Sequence, residues 1–134
     1  MIQAIHHVQL TVPGEQIEEA MAFYRDTLGL ALSAHRPPEW GNTGYWFTVG
    51  DREIHLSKEA GLSFQLGQVR SRAHVAFKVD DAGAWRAKFE AMGHWTRDEP
   101  DLPGYVRFHT HDPFGNTLEF IQPTKVTLVV DRAP

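Results

Sequence analysis

The sequence predicts an α+β fold of two tandem βαβββ modules forming a curved mixed sheet that encloses a cleft, and three observations carry that expectation. The chain has 134 residues, a length that one domain fills while burying a sizeable core. Strand-period and helix-period segments alternate in the same order twice. The two passes also share residues: "HVQLTV" from His7 is echoed by "HVAFKV" from His74, and "EIHLS" from Glu53 by "TLEFI" from Thr117. Internal repetition settles architecture before any single element is assigned. The expected organisation is one domain over residues 1–134, with a module at 1–60, a connecting loop at 61–72 and a second module at 73–123.

Each element follows from its own pattern. Residues 5–12 alternate, with His6, Val8, Leu10 and Val12 on one face and His7, Gln9 and Thr11 on the other, which is the period of a strand. Pro13 and Gly14 break it. Ile17, Ala20, Met21, Phe23, Tyr24 and Leu28 then recur at helical spacing until Gly29 supplies a stop. Beyond a Pro, Gly and Asn-rich loop at 37–44, residues 45–49 and 53–57 read as strands joined by a turn at Gly50 and Asp51. Residues 58–72 show no clean period and read as a long connection. The pattern restarts with a strand at 73–79, a helix at 81–92 stopped by Gly93, and strands at 106–110 and 117–121 across the turn "DPFGN". The tail at 126–130 reads as an edge strand.

Composition excludes several classes. Hydrophobic residues at 42% and charged residues at 22% describe an ordinary folded domain. A net charge of −4, with Lys and Arg scattered, leaves no basic footprint for nucleic acid. Cysteine is absent, so disulfides and thiolates go with it, and any metal must sit on His, Asp or Glu. No apolar run reaches the roughly 18 residues of a membrane span, and Met1 leads directly into a strand pattern, so the expected location is cytoplasmic.

Strand parity then selects the candidate chemistry. Apolar residues mark the face packed on helices, and the alternate residues mark the opposite face. In strand one Val8, Leu10 and Val12 put His7 on the cleft face, and Ile54 and Leu56 put His55 there. In the repeat, Val75, Phe77 and Val79 leave His74 opposite, and Leu118 and Phe120 leave Glu119 opposite. Random parity would place all four this way with a chance of roughly one in sixteen. Three imidazoles and a carboxylate suit one borderline divalent ion, Zn, Ni, Co, Mn or Fe, with positions left open for substrate. The same parity nominates Gln9, Thr11, Lys78, Arg107 and His109 as substrate contacts, with Lys78 and Arg107 suited to an anion. Tyr45 and Phe47 share one parity and Trp46 the other; one set forms an aromatic wall, and Phe47 is the nominated contact.

The segments "HHVQLTVPG", "AMAFYRDTLGL", "REIHLS", "AHVAFKVDD" and "HDPFGNTLEF", in this order and spacing, resemble the vicinal oxygen chelate superfamily over nearly the whole chain. That superfamily includes glyoxalase I, extradiol dioxygenases, methylmalonyl-CoA epimerase and the fosfomycin and bleomycin resistance proteins. The resemblance implies a glyoxalase-like fold, and it carries the family's metal positions onto His7, His55, His74 and Glu119. Glyoxalase I and the epimerase fill all four positions, whereas the extradiol enzymes use a set corresponding to His7, His74 and Glu119. His55 therefore favours the lyase and isomerase branch, in which Glu119 would serve as ligand and general base. Thr11 stands where many glyoxalase I sequences carry an Arg for glutathione, which speaks against that substrate.

The other prominent residues have simpler readings. His6 sits in core parity as a packed or edge histidine, while His35, His94 and His111 fall in or near loops. Asp112 braces its turn, and Phe23, Tyr24, Trp85 and Phe89 have core spacing. The expectation is a homodimer, because each half leaves an open sheet edge, acting as a metal-dependent lyase or isomerase on a small substrate chelated through adjacent oxygens. Its rivals are an Fe(II) extradiol-type dioxygenase and a bleomycin-resistance-like binding protein without turnover.

Overall fold

The structure, a computed structural model, describes residues 1–61 and 72–124. The chain divides into two compact units, Met1–Gln68 with Pro113–Asn116, and Val69–Asp112 with Thr117–Pro134.

In the first unit, β1 (His7–Pro13) leads into α1 (Ile17–Ala22), followed by β2 (Ala31–Leu32), β3 (Gly44–Val49) and β4 (Arg52–Glu59). The sheet order is β1-β4-β3-β2, with β1 and β4 parallel and the other pairs antiparallel. Ile17, Ala20, Phe23, Tyr24 and Leu28 are buried as their spacing predicts. The expected single helix changes winding, however: Phe23–Thr27 forms a π turn, closed by the Leu28 amide donating to the Phe23 carbonyl at 3.0 Å. Gly29 then ends it at φ 75°. The core lies between helix and sheet, where Val12, Tyr24, Phe47, Ile54 and Leu56 are at most 4% exposed.

The second unit repeats the plan with β5 (His74–Lys78), α2 (Ala82–Ala91), β6 (Thr96–Asp98), β7 (Tyr105–His111) and β8 (Thr117–Pro123), in the order β5-β8-β7-β6. Asp81 caps α2 by accepting from the Ala84 amide at 3.0 Å, and Gly93 ends it at φ 79°. The core here is aromatic. Phe89, Phe108 and Phe120 are at most 2% exposed, and the Phe120 ring lies 5.2 Å from Phe89 and 5.4 Å from Phe108. Burying each such side chain contributes about 1.5–3 kcal/mol.

Several expectations are corrected. Strand one begins at His7 instead of residue 5. The segment expected to be connection from 58 onward is still strand through Glu59, because β4 pairs with β1 as far as Pro13 opposite Glu59. Strands β2 and β6, of two and three residues, had no sequence assignment. His111 is not a loop histidine: it ends β7, is 6% exposed and stacks on Trp95 at 4.4 Å. The remainder of the connecting loop and the tail strand at 126–130 lie outside the described residues.

Candidate metal centre

Register shows which side chains share a sheet face, because directly paired residues of neighbouring strands point to the same side. In the first unit His7 pairs with Glu53, Gln9 with His55, Thr11 with Ser57, and Trp46 with His55. His7, Gln9, Thr11, Trp46, Glu53 and His55 therefore share the face opposite α1. In the second unit His74 pairs with Thr117, Ala76 with Glu119, Lys78 and Arg107 with Ile121, and His109 with Glu119. His74, Lys78, Arg107, His109 and Glu119 share the corresponding face there.

Within the second unit, donor atoms of His74, His109 and Glu119 lie within 4.8 Å of one another. Three groups converge on Glu119 Oε1: His109 Nε2 at 2.6 Å, Arg107 Nη1 at 3.2 Å and His74 Nε2 at 3.4 Å. Glu119 and His109 are 5% and 6% exposed, while His74 is open to solvent. On its other edge His109 Nδ1 meets Glu99 Oε1 at 3.0 Å, so the imidazole bridges two carboxylates. Arg97 Nη2 lies 3.4 Å from the same Nδ1. Burial alone would raise the Glu99 carboxyl; the guanidinium of Arg97, bonded at 2.7 Å, together with His109 and Arg107 outweighs it and leaves that carboxyl lowered. Arg107 Nη2 also donates to the Pro100 carbonyl at 2.8 Å. Among the described residues its Nε is the one buried side-chain polar atom without a partner.

The first unit assembles the other half of the expected ligand set differently. The His55 ring lies 4.0 Å from that of His7, with 14° between planes, and 3.9 Å from that of Trp46, with 2° between planes. Since β4 runs between β1 and β3, the two partners reach His55 from opposite sides. His55 Nε2 bonds Glu53 Oε1 at 2.9 Å. Glu53 Oε2 accepts from Ser33 Oγ and, at 2.9 Å, from His35 Nδ1. The His55 bond first, then Ser33 and His35, hold the Glu53 carboxyl down at about 2, while burial pushes His55 below its ordinary value.

The structure therefore brings His74, Glu119, His109 and Arg107 together in one unit and His7 with His55 in the other. Gln9 is exposed on the His7 face, and the Thr11 carbonyl accepts from Asn116 Nδ2 at 3.2 Å. Lys78 is exposed beside a cavity of about 470 Å³ lined also by Asp81, Trp85 and Lys88. Phe47 is a correction: it is 0% exposed, pairs with Ile54 and packs 5.9 Å from Tyr24, so it is core and not a substrate contact. Trp46 is the aromatic on the histidine face. Glu53, Ser33 and Glu99 were not anticipated; the signal for Glu53 was its parity, two residues before His55 on the same face.

Nitrogen and oxygen donors at this separation, partly buried and without cysteine, fit a borderline divalent cation. The family model described as the glyoxalase/bleomycin resistance protein/dioxygenase superfamily matches residues 4–120. The glutathione transferase FosA of Serratia marcescens is 29% identical over 121 residues, covering 89% of this chain and 80% of FosA. A Bacillus anthracis protein assigned to the glyoxalase family is 35% identical, with a TM-score of 0.76 over 92% of this chain and 98% of its own. The fosfomycin resistance protein FosX of Listeria monocytogenes, in complex with Mn(II) and sulfate, shares the fold at a TM-score of 0.67 and 16% identity, covering 94% of this chain and 97% of FosX.

Proposed function

The chain belongs to the glyoxalase/bleomycin resistance protein/dioxygenase superfamily, and on that premise we propose that it is a divalent-metal-dependent lyase or isomerase acting on a small substrate held through two adjacent oxygens. The observation that carries this reading is the convergence of His74, His109 and Glu119 donor atoms within 4.8 Å. The ligands we assign are His7, His55, His74 and Glu119, and Mn(II) in FosX sets the precedent for the class of ion. When bound, such an ion supplies Lewis acidity to the substrate oxygens.

The chain's own residues do the rest. His109 and Arg107 hold Glu119 through Oε1 at 2.6 and 3.2 Å, which fixes the carboxylate that we assign as ligand and as the group that moves a proton at the substrate carbon. Arg107 and Lys78 place positive charge on the Glu119 face of the second unit for an anionic substrate, and Gln9 and Thr11, on the His7 face of the first unit, are the hydrogen-bonding contacts we assign. Among the described residues each unit's sheet ends in strands with a single neighbour, β1 and β2 in the first and β5 and β6 in the second, which favours a homodimer.

A second reading, transfer of glutathione, is favoured by the identity with FosA, although Thr11 lacks the charge to hold glutathione. Metal-loaded protein in D₂O with α-keto aldehydes and glutathione, or with epimerisable acids, separates the two. Solvent deuterium entering the product, abolished in Glu119→Gln, supports proton transfer. A glutathione adduct of fosfomycin supports the second reading. Oxygen consumption with a catechol, or stoichiometric binding without turnover, would contradict both.

A further inference from the structure

The Glu53 carboxylate is only 9% exposed and is held by three donors. Ser33 and His35 engage Oε2, and the His35 amide donates to Ser33 Oγ at 3.1 Å. Ser33 is itself fixed to β3 by its amide donating to the Trp46 carbonyl at 2.8 Å. That leaves Oε1 for His55 Nε2, at 2.9 Å. A carboxylate at neutral pH only accepts, so the hydrogen in this bond belongs to the imidazole. A neutral imidazole with Nε2–H has its lone pair on Nδ1. The ring cannot readily turn to offer the other edge, because Trp46 and His7 stack on its two faces.

We propose that Glu53 is the positioning residue of His55, holding it as the Nε2–H tautomer so that Nδ1 is the atom it presents to a metal ion. A hydrogen-bonded carboxylate behind an imidazole ligand both orients the ring and raises its basicity. The metal half of this inference rests on the function proposed above; the tautomer half does not.

The test uses metal-free, ¹⁵N-histidine-labelled protein at neutral pH. Long-range ¹H–¹⁵N correlation reads the tautomer, and Zn(II) titration against a competing chelator reads affinity. The wild type is expected to show His55 as Nε2–H with a slowly exchanging proton. Glu53→Ala is expected to lose that protected proton and to bind Zn(II) about 10–100-fold more weakly. Glu53→Gln, whose amide oxygen accepts the same bond without the charge, should keep the tautomer with a smaller loss, and it decides the matter if Glu53→Ala does not fold. His55 found as Nδ1–H, or Glu53→Ala binding Zn(II) like wild type, overturns the inference. Wild type that binds no Zn(II) instead overturns the function proposed above, with the tautomer still readable.

Discussion

Removing His109 should cost the metal-free protein much of its stability, and the structure gives the amount. The ring is 6% exposed, bonds Glu119 at 2.6 Å and lies 3.0 Å from Glu99. In His109→Ala, Glu99 keeps Arg97 at 2.7 Å, so the loss falls on Glu119, which is 5% exposed and among the described residues retains the longer contacts to Arg107 and His74. A hydrogen bond to a charged partner contributes about 1.5–3 kcal/mol, and the vacated imidazole volume adds to that. The expected total is about 3 kcal/mol, or roughly 10 °C in Tm for a chain of this size. Urea and thermal unfolding in chelator measure it, and a cycle with Glu119→Ala isolates the pair. If the buried carboxylate is the cause, the double variant will be less destabilised than the two singles added, with a coupling of about 1–3 kcal/mol. Additive single effects, or a His109→Ala loss below about 0.5 kcal/mol, would refute the assignment of His109 as the partner of Glu119.

Phe47→Ala should cost about 3–5 kcal/mol in urea unfolding, as expected of a fully buried aromatic. Trp46→Phe should leave stability nearly unchanged while abolishing the indole fluorescence change on Zn(II) addition, since Trp46 stacks on His55. Acid should weaken the metal-free fold in two stages followed by circular dichroism. His55 lies below its ordinary 6.5, so the fold resists protonating it and loses stability as pH drops below that value. Glu53, at about 2 against 4.5, gives a contribution complete above 4.5 and lost as pH falls toward 2; Glu53→Ala should flatten this second stage. Gly44→Ala should destabilise by about 1–3 kcal/mol, because a Cβ there runs into the Leu56 carbonyl oxygen across β3 and β4; native-like urea midpoints would contradict that packing.

Much of this was legible in the residues. The alternation around His7, His55, His74 and Glu119 put each on the face opposite its helix because apolar and polar residues contrast sharply there. Tyr45, Trp46 and Phe47 offer no such contrast, and only the pairing of Phe47 with Ile54 decides which ring is core. Strands β2 and β6 are too short to display a period, so they exist through pairing with β3 and β7. His109 had the right parity, but its place against Glu119 depends on the β7–β8 register, which no local pattern encodes. Glu53 drew no assignment because its donors, Ser33 and His35, come from a segment about twenty residues earlier. The π turn at Phe23–Thr27 likewise left no trace, since its residues keep helical spacing.

The central claim is tested most directly by metal analysis of untagged protein by plasma mass spectrometry, after reconstitution with Zn, Ni, Co, Mn and Fe(II) in turn. His55→Ala, His74→Ala and Glu119→Ala should be measured alongside. About one tightly held ion per chain is expected, with each variant binding more weakly. Retention of no ion under any condition, or undiminished binding in Glu119→Ala and His74→Ala, would contradict it.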